Sequence, residues 1–529
     1  MCTRSTHRRS SGVAPLAAVA LAAGLAGAPV PQVIGQSIRA EARQDPGPAP
    51  VLHRLQYVES SNGLKDLRWE NGRTILKFAD LNHDGHPDIV TVGDHGSPFI
   101  QSDLHGITVW FGDGAGNWSS FQKGVFGYGG VAVGDVNNDG LLDVGWGIHH
   151  NYASNNFGDR VSGVALGDGS GKNWLPWDVG LGVDGQTWGM FATEFADINA
   201  DGRLDIGSTS FGCCDGFHVH VNNGDGTWTR VFGWLGGNSM MELSTGDINN
   251  DGFPDFAMAH GNGIIWLNDG ANGFTRADTN LSGGGGSGLP GLHLGDVNGD
   301  GCDDLSFANM AGGVEVWTWS PAASAWVDFS GNLPSLGGFE VTRLADMNND
   351  GKRDVVAFGE RRLVVWLGDG MGGWTPEATF TVPGSGRYKG FAVGDADHSG
   401  RADILLLTEE GGFFNGRNQL RFFREAAEPG RLGIRITDPP PNRVIRRGSV
   451  VIVDWLSAVP GRVESAVSLE ISFEGASGPW TEIAAELPNS GRHQFNADFT
   501  QTTTNAWLRA TVTTADGSAS RVHGPIEIR

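Results

Sequence analysis

The stretch Asp80-Leu81-Asn82-His83-Asp84-Gly85-His86-Pro87-Asp88 decides how this chain is read. Side chains bearing oxygen stand at its positions 1, 3, 5 and 9, and a glycine stands at position 6. Alternate residues of a tight loop can aim their oxygens at one centre, and the glycine permits the sharp turn between them. The pattern returns as Asp135, Asn137, Asp139 and Asp143, then as Asp197, Asn199, Asp201 and Asp205. It recurs as Asp247, Asn249, Asp251 and Asp255, as Asp296, Asn298, Asp300 and Asp304, and as Asp346, Asn348, Asp350 and Asp354. A seventh copy holds Asp395, Asp397 and Asp403, with Ser399 at position 5. The copies start 55, 62, 50, 49, 50 and 49 residues apart, so a repeated unit organises the chain.

Short apolar runs rich in β-formers flank each copy: Gly130 to Gly134 before the second, and Ile89 to Val92, Phe256 to Ala259 and Val355 to Phe358 after the first, fourth and sixth. They read as strands. About 25 residues on, a second signature follows, an apolar strand, a glycine-rich turn and an aromatic, as in Val109 to Trp118 and Val365 to Trp374. Two hairpins per repeat give four strands, and four-stranded units repeated radially make a propeller. The last repeat stops at Pro429-Gly430, one strand short, and Leu52 to Val58 supplies a spare strand before the first. A ring closed by that N-terminal strand accounts for both. The expected fold is therefore all-β: a seven-bladed propeller over residues 51–428, then a small β-sandwich over 433–529. Strands of the sandwich are expected at Val450 to Trp455, Val467 to Phe473 and Trp507 to Val512, past the break at Pro439-Pro440-Pro441.

The oxygen donors in the loops are those that calcium takes, six to eight hard oxygens. An EF-hand would need a Glu at position 12, and that position holds Thr91, Trp146, Ser208, Met258, Phe307, Ala357 and Leu406. The sequence thus predicts up to seven Ca²⁺ bound by non-EF-hand loops, the site with Ser399 being weaker or water-filled. Asp supplies 21 of the ligand positions, and unneutralised carboxylates crowded three to a loop repel one another. Seven Ca²⁺ would bring the formal charge of −23 to about −9. The same acidity argues against nucleic acid, whose phosphates reward Lys and Arg.

The loop, together with the Gly112-Asp113-Gly114-Ala115-Gly116-Asn117-Trp118 hairpin, resembles the FG-GAP/VCBS repeats of integrin α-chain heads, over about residues 51–428. The resemblance implies a seven-bladed calcium propeller and assigns the ligand positions named above one by one. The family includes adhesins, lectins and exported proteins, and no motif carries a partner-binding residue across. The C-terminal strands, lacking a Cys–Trp–Cys spacing, resemble a fibronectin-III/Ig-like domain.

Basic residues Arg4, His7, Arg8 and Arg9, an apolar run from Val13 to Leu25 and Ala26-Gly27-Ala28 read as a signal peptide, residues 1–28, with a linker over 29–50. The run is too short for a transmembrane span. The expectation is a secreted or cell-surface protein with no span in the mature chain. Cys213, Cys214 and Cys302 are too few for a disulfide framework. Adjacent Cys213 and Cys214 are open to two readings, a strained vicinal disulfide or two thiols. Long connections between the second and third strands of the first two repeats, with Cys213-Cys214 at the equivalent place in the third, mark the face away from the calcium loops as the binding surface. Asp94, His95, His149, His150, Tyr152, Cys213 and Cys214 are its candidate residues. No sialidase box, nucleophile elbow or HExxH motif is present, so the expected role is binding of a glycan or an extracellular or surface protein, not catalysis. The alternatives are a lyase-type polysaccharide-active enzyme and an architectural envelope protein.

Overall fold

The computed structural model describes residues 54–64, 66–68, 75–92, 106–124, 129–147, 162–181, 190–210, 216–234, 239–260, 264–281, 291–384, 390–410 and 417–529. The expected signal peptide, linker and partner-binding residues (Asp94, His95, His149, His150, Tyr152, Cys213 and Cys214) lie outside them. Among the described residues there is no α-helix, and hence none long and apolar enough to cross a membrane.

Six antiparallel sheets of four strands follow one another along the chain, each strand pairing with its neighbour in sequence. The first is Lys77–Ala79, Asp88–Val92, Ile107–Gly112 and Trp118–Lys123. Later sheets begin at Val131–Gly134, Met190–Ala196, Ser239–Gly246, His293–Gly295 and Val341–Ala345. The last sheet of the series draws Phe391–Gly394, Asp403–Glu410 and Arg417–Glu425 from one end of the repeat region, and Tyr57–Glu59 and Asp66–Arg68 from the other. Tyr57 lies opposite Glu425 and Glu59 opposite Phe423. First strands of successive sheets lie side by side in a closed order, the last of them against Lys77–Ala79. This arrangement is consistent with a propeller.

Second strands such as Asp88–Val92, Asp304–Ala308 and Asp354–Gly359 are buried along their whole length, because sheets cover both of their faces. The hairpin tryptophans Trp118, Trp174, Trp228 and Trp374 open the fourth strands and are 3–8% exposed. Three of them tie their sheet to the preceding one: the indole N–H of Trp118 donates to Ser60 O at 3.2 Å, that of Trp228 to Trp177 O at 2.8 Å, and that of Trp374 to Phe329 O at 3.1 Å. They fill the gaps between sheets and are not presented to solvent.

Past Gly433, a three-stranded sheet (Gly433–Asp438, Val450–Ala458, Arg492–Asn496) and a five-stranded one share a single apolar core. Ile436, Val453 and Trp455 from the first meet Val467, Leu469, Leu508 and Val512 from the second. The expected strands at Val450, Val467 and Trp507 correspond to Val450–Ala458, Ser465–Ser472 and Thr503–Thr514. Alternating burial along Val450–Ala458 puts one face in that core.

Candidate functional site: the seven acidic loops

Every Asp-rich copy forms the connection between the first and second strands of a sheet, so all seven lie at corresponding ends of their sheets. The backbone is the same in each. Position 6 is a glycine at positive φ, from 79° at Gly400 to 92° at Gly351. Position 4 is also left-handed: His83, Asn138, Ala200, Asn250, Asn349 and His398 have φ between 54° and 60°, and Gly299 has 78°. That requirement favours Asn and Gly, but His and Ala also occur, so the sequence pattern hides it.

Position 1 organises the turn. Asp80 accepts the Asp84 N–H on Oδ1 at 3.1 Å and the Gly85 N–H on Oδ2 at 2.9 Å. The same pair of bonds recurs at Asp135, Asp197, Asp247, Asp346 and Asp395. Asp296 departs from it: its Oδ1 takes the N–H groups of Asn298 and Gly299, while Oδ2 keeps that of Gly301. Position 3 accepts the position 5 N–H, as Asn82 does from Asp84 at 3.2 Å. Position 5 holds the N–H of position 7, as Asp84 does for His86 at 2.9 Å.

Position 9 does more than a ligand would need to. Asp88, Asp143, Asp205, Asp255, Asp304, Asp354 and Asp403 each open a second strand and are fully buried. In Asp255, Oδ2 accepts the Ile248 N–H at 2.8 Å and Oδ1 the Asn268 N–H at 2.8 Å. The other six join the loop to the third strand in the same way, for example Asp88 to Leu81 and Gly112. These carboxylates are therefore internal staples as well as candidate ligands.

Burial pushes the carboxyls at positions 1 and 9 above the ordinary Asp range, against the pull of the amides they accept. Asp88 and Asp143 are raised to about 8. Buried acids at positions 1 and 9, with a more exposed Asp at position 5 of the first six loops, make a place where a hard cation would be welcome. The donor set fits one: carboxylate and amide oxygens at 1, 3, 5 and 9, with the position 7 carbonyl alongside. In the seventh loop, oxygens of Asp395, Asp397 and Asp403 all lie within 4.8 Å of one another, and all three residues are buried. Ser399 there holds the Arg401 N–H with its hydroxyl at 3.3 Å, taking over the turn bond that Asp makes elsewhere. Cys302, at position 7 of the fifth loop, is a buried free thiol whose pKa burial raises.

The C-terminal sheets sit on this loop face. Gln494 exchanges two hydrogen bonds with the backbone of Asp135, at 2.8 and 3.1 Å. The Val450 N–H donates to Asp197 Oδ2 at 2.9 Å, and the Ser457 N–H to Asp395 Oδ2 at 3.1 Å. Arg443 reaches Asp247 O at 2.8 Å and Asp303 Oδ1 at 2.6 Å. Arg435 donates to Asn349 Oδ1 at 2.7 Å, and Arg462 to Asp397 Oδ2 at 2.9 Å. Sequence reasoning missed this contact, in part because several of the donors are backbone amides.

Below the C-terminal sheets lies a cavity of about 570 Å³, ringed by all seven first strands. Lys77 and Glu194 pair across it at 2.7 Å. Glu242 accepts the Gly291 N–H, and Arg343 donates to Phe391 O at 2.7 Å.

Three stretches, residues 80–146, 247–307 and 346–406, match the FG-GAP-like repeat. Each starts on the first Asp of a loop and ends within the second strand of the next sheet, so together they take in every loop but the third. No curated protein sequence matches the chain. Among solved structures, an Agrocybe aegerita lectin described as recognising non-reducing terminal N-acetylglucosamine is 19% identical. The match covers 60% of this chain and 81% of that one, with a TM-score of 0.41. A chain of the mitotic checkpoint complex is 12% identical, covering 74% and 100%, with a TM-score of 0.41. Saccharomyces cerevisiae Sqt1 is 11% identical, covering 70% and 98%, with a TM-score of 0.38.

Proposed function

We propose that this chain is an exported, calcium-loaded propeller of seven blades, backed by a fibronectin-III/Ig-like sandwich, that serves as a binding module for a glycan or a surface protein. The observation that carries the reading is the sevenfold recurrence of one loop backbone carrying Asp and Asn oxygens, in which burial disfavours the free carboxylates at positions 1 and 9. Bound calcium would neutralise most of that charge and fix each turn between the first two strands of its blade. With only four cysteines in the chain, metal takes the place that disulfides hold in smaller extracellular folds.

The partner surface is the face away from the loops, over the first three sheets, because the loop face is covered by the C-terminal sheets. The long connections containing Asp94, His95, His149, His150, Tyr152, Cys213 and Cys214 are proposed to form it.

Two measurements on the purified chain test the reading. Native mass spectrometry should find several calcium ions per chain, up to seven, and excess chelator should lower the melting temperature sharply. An unchanged melt in chelator would end the calcium claim. A glycan array probed with calcium present should then light up for one sugar class and go dark in chelator. A blank array from calcium-loaded protein moves the assignment to a protein partner or an architectural role.

A further inference from the structure

The C-terminal sheets grip the loops at one particular place. In the third and seventh loops, the position 1 Asp uses Oδ1 for the N–H of position 5 and Oδ2 for the glycine N–H. That same Oδ2 also accepts the Val450 N–H on Asp197 and the Ser457 N–H on Asp395. The guanidiniums of Arg443 and Arg435 approach the corresponding Oδ2 atoms of Asp247 and Asp346, each to 3.9 Å. Four loops are therefore held from outside, through the same oxygen of the same position.

We infer that the C-terminal sheets are the outer shell of these metal sites, so that calcium uptake by the loops and seating of the C-terminal region are one linked equilibrium. The inference rests on the calcium reading above and deepens it. Residues that hold a ligating side chain from behind fix its orientation and contribute to metal affinity. The charges match as well. The fourth and sixth loops each carry three Asp, a divalent cation leaves one charge over, and Arg435 comes to the sixth loop while Arg443 is shared between the fourth loop and Asp303. Without a cation the three carboxylates of a loop repel. The loop then departs from the shape that the Val450 and Ser457 amides fit, and both donors lose their acceptor. By reciprocity, whatever docking contributes to calcium affinity, calcium contributes to docking.

Hydrogen exchange on the whole chain reads this directly. As chelator is added in steps, the Val450 and Ser457 amides should exchange at least about 10-fold faster, while Leu508, inside the five-stranded sheet, stays protected. A variant supplies the reciprocal arm. Val450 opens its strand, where proline is tolerated, and its N–H goes to Asp197. Val450→Pro therefore deletes one donor and no charge. In a native mass spectrometry titration, one calcium of the full complement should bind about 10-fold more weakly than in the wild type. If the wild type takes up calcium but both amides exchange equally fast with and without chelator, the linkage is wrong and the calcium reading stands. A folded Val450→Pro that binds every calcium with wild-type affinity would overturn the linkage in the same way. A wild type that binds no calcium removes the underlying reading and the linkage together. The exchange experiment needs no variant, so it decides even if the proline chain does not fold.

Discussion

Asp255 separates two jobs that the loop pattern runs together. Its carboxylate holds the Ile248 and Asn268 amides inside the protein, whereas Asp251 is only partly buried and holds the Asn249 side chain and the Phe253 amide. Asp255→Ala should cost about 2–4 kcal/mol in denaturant unfolding, with calcium or with chelator, because it leaves two buried amides without acceptors. Asp251→Ala should lower stability in calcium and change little in chelator. If Asp255→Ala were harmless in chelator, position 9 would serve the metal alone. Position 6 glycine and the Asp and Asn oxygens could be read from the sequence, since residue type dictates them. The left-handed backbone at position 4 could not, since His83, Ala200 and His398 do not advertise it. Nor could the staple at position 9, which depends on a third strand that arrives 13 residues later at Asn268 and 24 residues later at Gly112.

Among the elements, the hairpin tryptophan is the joint between sheets. Trp374 is 3% exposed and donates to Phe329 O on the preceding sheet. Trp374→Phe keeps most of the ring but loses the bond, and should cost about 1 kcal/mol. Trp374→Ala empties the gap and should cost about 3–5 kcal/mol, read as a drop in the denaturant midpoint. Equal effects of the two changes would mean that the bond, and not the packing, joins the sheets. Strands were legible wherever an apolar run met a turn signal. One boundary shifted: of the spare N-terminal strand expected from Leu52 to Val58, Leu52 and His53 lie outside the described residues, and within those residues it is Tyr57–Glu59. Leu55 is 4% exposed, yet its N–H goes to the Glu377 side chain at 3.0 Å and not to a strand, so burial there comes from docking on the neighbouring sheet. An apolar run reports burial and does not say what kind of partner provides it.

For the molecule as a whole, the number of repeats and the change of character near Gly433 were visible in the chain, but the seating of the second region on the loops was not. The residues joined there are 62 apart for Ser457 and Asp395, 253 apart for Val450 and Asp197, and 359 apart for Gln494 and Asp135, with no local pattern to mark them. The cavity below the C-terminal sheets holds a buried carboxyl whose titration can be read in a stability profile. Burial pushes the Glu242 carboxyl up to about 7, with Arg343 and the Gly291 and Leu292 amides pulling it down. A carboxyl raised on folding stabilises the folded chain below its unfolded value, and that contribution is lost as pH rises through the folded one. Between pH 5 and 8 the wild type should therefore lose on the order of 2 kcal/mol relative to Glu242→Gln. Parallel pH profiles for the two proteins would show that Glu242 is solvated in the cavity.

The pairing of Tyr57–Glu59 with Phe423–Glu425 has a consequence for time order. A ribosome must add more than 360 residues after Glu59 before its partner strand exists, so the first of the described strands is among the last to find its place. Until then one sheet lacks its edge, and the unmatched strand faces solvent as a template for other chains. Closure of this sheet should thus come late in folding, and a chain interrupted anywhere before Glu425 would keep the sticky edge for good.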